Sequence, residues 1–300
     1  MLHSSSHPRS LRADPEVREA VSRHPRIGAV QYLNTRPLIY GLGGDLIFDL
    51  PSRLADRLAQ GDLDVGLIPS IELFNGMVRA GQAVGPAGYQ IISRACIACR
   101  GPVMSVRLFF RTRPERVRTL AVDEGSRTSV ALCRILLAQR YGLAPSLETL
   151  PLNATIDQTS ADAVLLIGDR AIGPTDGGFQ AVWDLGDEWF RSTGLPFVFA
   201  VWAARPGLDA DRVGQLLDAA RDRGGANLAA IAAAEAASHG LTVPQCLDYL
   251  SDNLHYDLGP QERRALQLFY REAHQLGLAP AGLDLSGAFA VPTPLAPGSS

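Results

Sequence analysis

The chain has 300 residues and a formal net charge of -3, with 46% hydrophobic and 20% charged residues. These are the proportions of an ordinary globular protein of about two domains, and the slightly acidic balance argues against a nucleic-acid binder. All 28 basic residues are Arg and no Lys occurs, which excludes Schiff-base chemistry, pyridoxal phosphate enzymes included.

Met1 to Pro25 is rich in Ser, His, Pro and Arg and lacks the apolar core of a signal peptide. It reads as a disordered tail with a frayed helix near Pro15 to Arg23. The longest apolar run, Leu195 to Ala204, is about half of the roughly 20 residues a membrane helix needs. The expected location is therefore the cytoplasm.

Arg26 to Leu33 reads as a first strand, with Asn34-Thr35-Arg36 at its carboxyl end. Pro37 to Leu42 reads as a short helix, because Pro suits a first helical position. Leu46 to Leu50 is a second strand. Pro51 to Gln60 is an amphipathic helix, with Leu54 and Leu58 at i, i+4 and Gly61 as its stop. Val65 to Ile68 is a third strand, and Pro69-Ser70 caps a helix through Phe74. Strands alternating with helices imply a parallel sheet with helices on its faces. Tyr89 to Cys99 and Val103 to Thr112 are two further strands, and the polar stretch Arg111 to Arg118 looks like a crossing into a second lobe.

Arg118 to Val122 is a buried strand, and Val130, Leu132, Ile135, Leu136 and Leu137 then recur at helical spacing up to Gly142. Gly125 to Ser129 is thus a strand-to-helix turn. The first turn of a helix has unpaired N–H groups and the positive end of the dipole. Ser126, Thr128 and Ser129 add hydroxyls and Arg127 a guanidinium, so the turn suits a carboxylate or phosphate. Without Gly-Lys-Ser/Thr it is not a P-loop, and a carboxylate is preferred. A Ser N-cap with a surface Arg fits the same run.

Ser146 to Leu150 and Ala163 to Ile167 are strands, the second ending in Gly168-Asp169. Trp183 to Leu185 adds an edge strand. Leu195 to Ala204 is a strand buried on both faces that carries the chain back. Asp209 to His239 is helical with an interruption at Gly224-Gly225. Thr242 to Asn253 is a helix capped by Thr242. Pro260 to Leu276 is a last amphipathic helix with Leu266, Phe269, Tyr270 and Ala273 inward. The tail from Pro292 reads as disordered.

The fold class is α/β. One lobe comprises 26–113 and 199–290, and a second, 114–198, is inserted. Two crossings make a hinge with a cleft, and ligands of open α/β sheets bind beyond the carboxyl ends of the strands. The segments predicted there are Asn34-Thr35-Arg36, Pro69-Ser70, Gly125 to Ser129 and Gly168-Asp169, joined by Ser105. Cys96 and Cys99 have the C-x-x-C spacing, but a spacing of three on a strand puts the thiols on opposite faces. They read as small buried hydrophobes rather than a metal or redox pair.

Several segments in order resemble one family: Gln31-Tyr32-Leu33-Asn34-Thr35-Arg36-Pro37-Leu38, Gly61 to Gly66, Gly101-Pro102-Val103-Met104-Ser105, Ser126 to Val130, Leu166 to Asp169 and Thr193 to Trp202. The sequence is similar to chorismate dehydratases of the futalosine route to menaquinone over about residues 26 to 280. The resemblance implies a type 2 periplasmic-binding-protein-like fold: two lobes with parallel or mixed sheets flanked by helices and a double-crossing hinge. It implies conversion of chorismate to 3-[(1-carboxyvinyl)oxy]benzoate by loss of water, with no cofactor and no metal. It implies Asn34 as the catalytic cleft residue and Ser105 facing it from the opposite lobe. Ser126 to Ser129 would bind one carboxylate, with Arg127 as ion partner. Arg36 carries less weight, because the family does not keep Arg there throughout.

Asp169 reads as an acid or base, or as the cap of the next helix, the cap being preferred. Glu72 sits on a helix, where a solvated or capping role is as good. His3, His7 and His24 lie in the tail, and His239, His255 and His274 lie outside the predicted cleft loops. The substrate's own enolpyruvyl carboxylate is therefore expected to take the ring proton. Two alternatives stand: a non-catalytic carboxylate-binding protein of the same fold, and the sister enzyme that forms 1,4-dihydroxy-6-naphthoate, which uses a cleft His.

Overall fold

A computed structural model describes residues 25–79, 82–83, 88–173 and 178–285. The helix expected near Pro15 to Arg23 and the tail from Pro292 lie outside the described residues. The chain begins with β1 (Ile27–Val30), a 3-10 segment (Leu33–Ile39), β2 (Ile47–Asp49), α1 (Pro51–Gln60), β3 (Val65–Pro69), α2 (Ser70–Gly76), β4 (Val78–Arg79), β5 (Gln82–Ala83) and β6 (Gln90–Cys99). Next come β7 (Val106–Phe110), β8 (Thr119–Asp123), α3 (Thr128–Tyr141), β9 (Ser146–Leu150), β10 (Ala163–Ile167), α4 (Asp169–Ile172), β11 (Ala181–Asp184) and α5 (Leu185–Thr193). It ends with β12 (Phe197–Ala204), α6 (Ala210–Gly225), α7 (Leu228–Glu235), α8 (Val243–Asp248), β13 (His255–Asp257) and α9 (Pro260–Gln275).

Two mixed sheets result. The first has the order β13-β6-β12-β3-β1-β2 and the second β11-β7-β10-β8-β9. In the first, β1 runs parallel to β2 and β3, while β12 runs antiparallel to β3 and β6. In the second, β8 is parallel to β9 and β10, and β7 is antiparallel to β10. Every residue of β12 is buried, as its unbroken apolar run requires of a strand covered on both faces.

Local chemistry sets the helix ends. Leu54 and Leu58 are buried on one face of α1, which stops at Gly61 in a left-handed conformation, φ 85°. Thr242 caps α8 through a reciprocal bond with Gln245. On α9, Phe269 packs against Phe74, Trp189 and Phe197 at ring-centroid distances of 5.7, 6.3 and 5.0 Å. This cluster draws α2, α5, α9 and β12 into one core.

Three expectations differ from the structure. The chain leaves the first sheet between Cys99 and Val106, because β7 pairs with β10 and β11 in the second sheet; the crossing expected at Arg111 to Arg118 lies wholly beyond it. The short helix expected at Pro37 begins instead at Leu33, with Pro37 inside it. Thr242 to Asn253 is not one α-helix: after Asp248 the chain widens into a π turn, Tyr249–Asn253.

Candidate functional site

A cavity of about 530 Å³, its open mouth included, lies between the two sheets. From the first sheet it is lined by Tyr32, Asn34, Pro69 and Phe199, and from the second by Val106, Gly125 to Ser129, Ile167 and Gly168. Ser105, in the connection between the sheets, completes the wall. Asn34, Ser105, Ser126, Arg127, Thr128 and Ser129 are thus brought together. No Asp, Glu or His is among the described residues that line it.

The turn after β8 is built from Asp123, whose carboxylate accepts the Gly125 N–H at 3.0 Å while its backbone carbonyl accepts that of Ser126 at 3.0 Å. Arg170 holds the other carboxylate oxygen at 3.0 Å. Burial pushes the Asp123 carboxyl up from the usual range, and the N–H bond and Arg170 counter it. The first N–H of α3 with a helical bond is that of Ala131, to Arg127. The N–H groups before it face the cavity end of the helix. Ser126 Oγ is buried and has no partner.

Ser105 is aimed by a strained loop. Met104 before it has φ 60°, rare for a residue with a side chain. Asp184, at the end of β11, holds this turn: its carboxylate accepts the N–H of Val103 at 2.9 Å and of Met104 at 2.7 Å, and also caps α5 through Gly186 and Asp187. Burial raises the Asp184 carboxyl, and these N–H bonds oppose the rise. Strain of this kind persists only where surrounding bonds over-determine it.

Four expected site residues are occupied elsewhere. The Arg127 guanidinium lies 2.8 Å from both oxygens of Asp56 and 3.5 Å from Glu72, so it is already neutralised by the opposite lobe. Ser70 is fully buried, and its hydroxyl donates to Val198 at 2.8 Å rather than lining the cavity. Arg36 pairs with Glu235 at 3.2 Å. Asp169 neither caps α4 nor lines the cavity. It accepts the Leu33 N–H at 3.1 Å, and its second oxygen lies 3.1 Å from His239 Nδ1. Burial raises the Asp169 carboxyl, and His239 draws it back. His239, read as remote from the cleft, therefore reaches its edge.

Further contacts join the lobes: Arg53 with Glu124 at 3.3 Å, Ser52 donating to the Glu124 carbonyl at 3.2 Å, and the Ile71 N–H donating to Thr128 Oγ1 at 3.3 Å. The cleft is closed. Cys96, Cys99, Cys133 and Cys246 are buried and unbridged, and burial raises each thiol. Sequence reasoning missed Asp184 and Asp56. The acidic residues Asp184, Asp187 and Glu188 before and within the first turn of α5 were a legible cap signal; nothing in the spacing of Asp56 pointed to Arg127.

A Thermus thermophilus chorismate dehydratase is 32% identical over 273 residues, which cover 84% of this chain and 95% of the relative. Among solved structures, an Archaeoglobus fulgidus protein superposes with a TM-score of 0.64 at 18% identity, covering 85% of this chain and 98% of that one. The periplasmic aliphatic sulphonate binding protein SsuA of Escherichia coli gives 0.60 at 17%, covering 92% and 94%. Both share the fold, which is that of periplasmic binding proteins. The model of the menaquinone biosynthesis family matches residues 25–275, and on that match and this identity the chain belongs to that family.

Proposed function

We propose that the protein is a chorismate dehydratase, a hydro-lyase that converts chorismate to 3-[(1-carboxyvinyl)oxy]benzoate and water. The observation that carries the reading is the cavity wall. It joins an amide, Asn34, and hydroxyls at Ser105, Ser126, Thr128 and Ser129 to a helix start, and holds no carboxylate or imidazole among its described lining residues. Such a wall suits an anion that brings its own base.

In the reaction, the ring carbon bearing the enolpyruvyl ether loses its proton to the enolpyruvyl carboxylate. The electron pair forms the new ring double bond, and the neighbouring C–O bond breaks. The departing hydroxide takes up the proton that the enolpyruvyl carboxylate removed and leaves as water, and the ring becomes aromatic. The turn at Gly125 to Ser129 holds one carboxylate through N–H groups and hydroxyls, with Arg127 contributing its backbone. Asn34 orients the departing hydroxyl or the second carboxylate, and Ser105 supports it from the connection between the sheets. Position and preorganised dipoles in a closed, dry site are worth several kcal/mol.

The test is incubation of the protein with chorismate, followed by mass spectrometry. The expected product is lighter by one water, and Asn34→Ala abolishes it. Unchanged chorismate overturns the reading in favour of ligand binding without chemistry or of the naphthoate-forming sister enzyme.

A further inference from the structure

Among the described residues, several buried side-chain polar atoms have no hydrogen-bond partner, and only two of them belong to residues that line the cavity: the Tyr32 hydroxyl and Ser126 Oγ. They come from opposite lobes. Tyr32 leaves the end of β1 and enters the second lobe, where its ring fills the space beside Gly168. A Cβ at Gly168 would stand 2.9 Å from three carbons of that ring. The Tyr32 hydroxyl comes within 3.4 Å of where a Cβ on Gly125 would stand, next to Ser126. The two unpaired hydroxyls therefore converge on one turn.

Buried donors without partners are rare in native proteins, because each forfeits its bonds to water. Here two are retained at one turn, at the start of a helix. Asp123, whose carboxylate lies at this turn, is paired with Arg170 at 3.0 Å, which offsets its repulsion of an incoming anion. Burial and the nearby carboxylates hold the Tyr32 phenol far above its ordinary pKa. It is thus a neutral donor throughout the working range.

We propose that Tyr32 and Ser126 clasp the same carboxylate group of the substrate, one hydroxyl from each lobe, so that the carboxylate is fully held only in the closed cleft. This rests on the carboxylate-substrate reading above. Tyr32 becomes a substrate-binding residue in addition to Asn34, Ser105 and the Ser126 to Ser129 turn.

The test is Tyr32→Phe, which keeps the ring beside Gly168 and removes only the hydroxyl. KM for chorismate rises about tenfold or more, while the melting temperature of the unliganded protein stays the same or increases, because no bond is lost in that state. Tyr256→Phe, which removes another buried unpaired hydroxyl away from the cavity, leaves KM unchanged. A Tyr32→Phe KM within twofold of the wild type, or a fall in kcat alone, overturns the clasp and leaves the dehydratase reading intact. If the wild type does not turn chorismate over, that reading falls, and calorimetric binding of chorismate decides the clasp. Binding weakened in Tyr32→Phe supports it, equal binding overturns it, and no binding overturns both.

Discussion

Two strand-to-helix corners of the second lobe invite comparison. One follows β8 and runs Gly125 to Ser129; the other follows β10 and runs Gly168-Asp169. They end neighbouring parallel strands, each begins with Gly, and each carries polar side chains at the start of a helix. Yet the first keeps a buried hydroxyl unpaired and lines the cavity. At the second, Gly168 lines the cavity, but the Asp169 side chain spends both oxygens on the opposite lobe, at Leu33 and His239. The difference teaches where function lies in a closed cleft. Saturated polar groups hold the lobes together, and unsatisfied ones await a ligand.

The largest expected effect comes from Gly168→Ala. Gly168 has φ 62°, and the new methyl would press on the Tyr32 ring at 2.9 Å. Backbone strain and overpacking together cost about 2 to 4 kcal/mol, measurable as a lower midpoint in denaturant and as lost turnover. Unchanged stability and activity would show that the cleft does not close around Tyr32. Next is Ser126→Ala. Here affinity for substrate falls roughly tenfold, or about 1.4 kcal/mol, while unliganded stability holds or rises, since the lost hydroxyl had no partner. A drop in stability without a change in KM would make the two corners equivalent and dissolve the contrast.

Much of this was legible in the chain. The helix over Pro51 to Gln60 and its Gly61 stop, the Gly125 to Ser129 turn, and the buried strand before Ala204 follow from periodicity and stop residues, which act locally. The resemblance in ordered motifs added the family. What escaped was anything set by partners distant in sequence. The partners of Arg127 are Asp56 and Glu72, that of Arg36 is Glu235, and that of Asp169 is His239. A charged side chain near a helix start looks the same whether it meets a ligand or another lobe, and only the fold decides. The crossing was misplaced for a related reason. Val106 to Phe110 is an apolar strand that either sheet would accept, and its antiparallel pairing with β10 depends on residues more than fifty positions away.

The smallest effect, and the finest test of the comparison, is Asp169→Asn. The amide keeps an acceptor for the Leu33 N–H and gives up the charge that faces His239. Were Asp169 the acid or base of the reaction, turnover would fall by many orders of magnitude with binding intact. As a tether it contributes only through closure, and turnover falls less than tenfold. The stability change at pH 7 is about 1 kcal/mol, since the lost ion pair is offset by relief from burying a carboxylate. The pH dependence gives the sign. Burial raises the folded Asp169 carboxyl above its unfolded value, so its contribution is fully present below the unfolded value and is lost as pH rises through the folded one. The wild type therefore gains on Asp169→Asn as the pH is lowered from neutrality through the raised folded value toward the usual carboxylate range. A wild-type advantage that shrinks over that interval would mean that the His239 pair, rather than burial, governs this carboxylate.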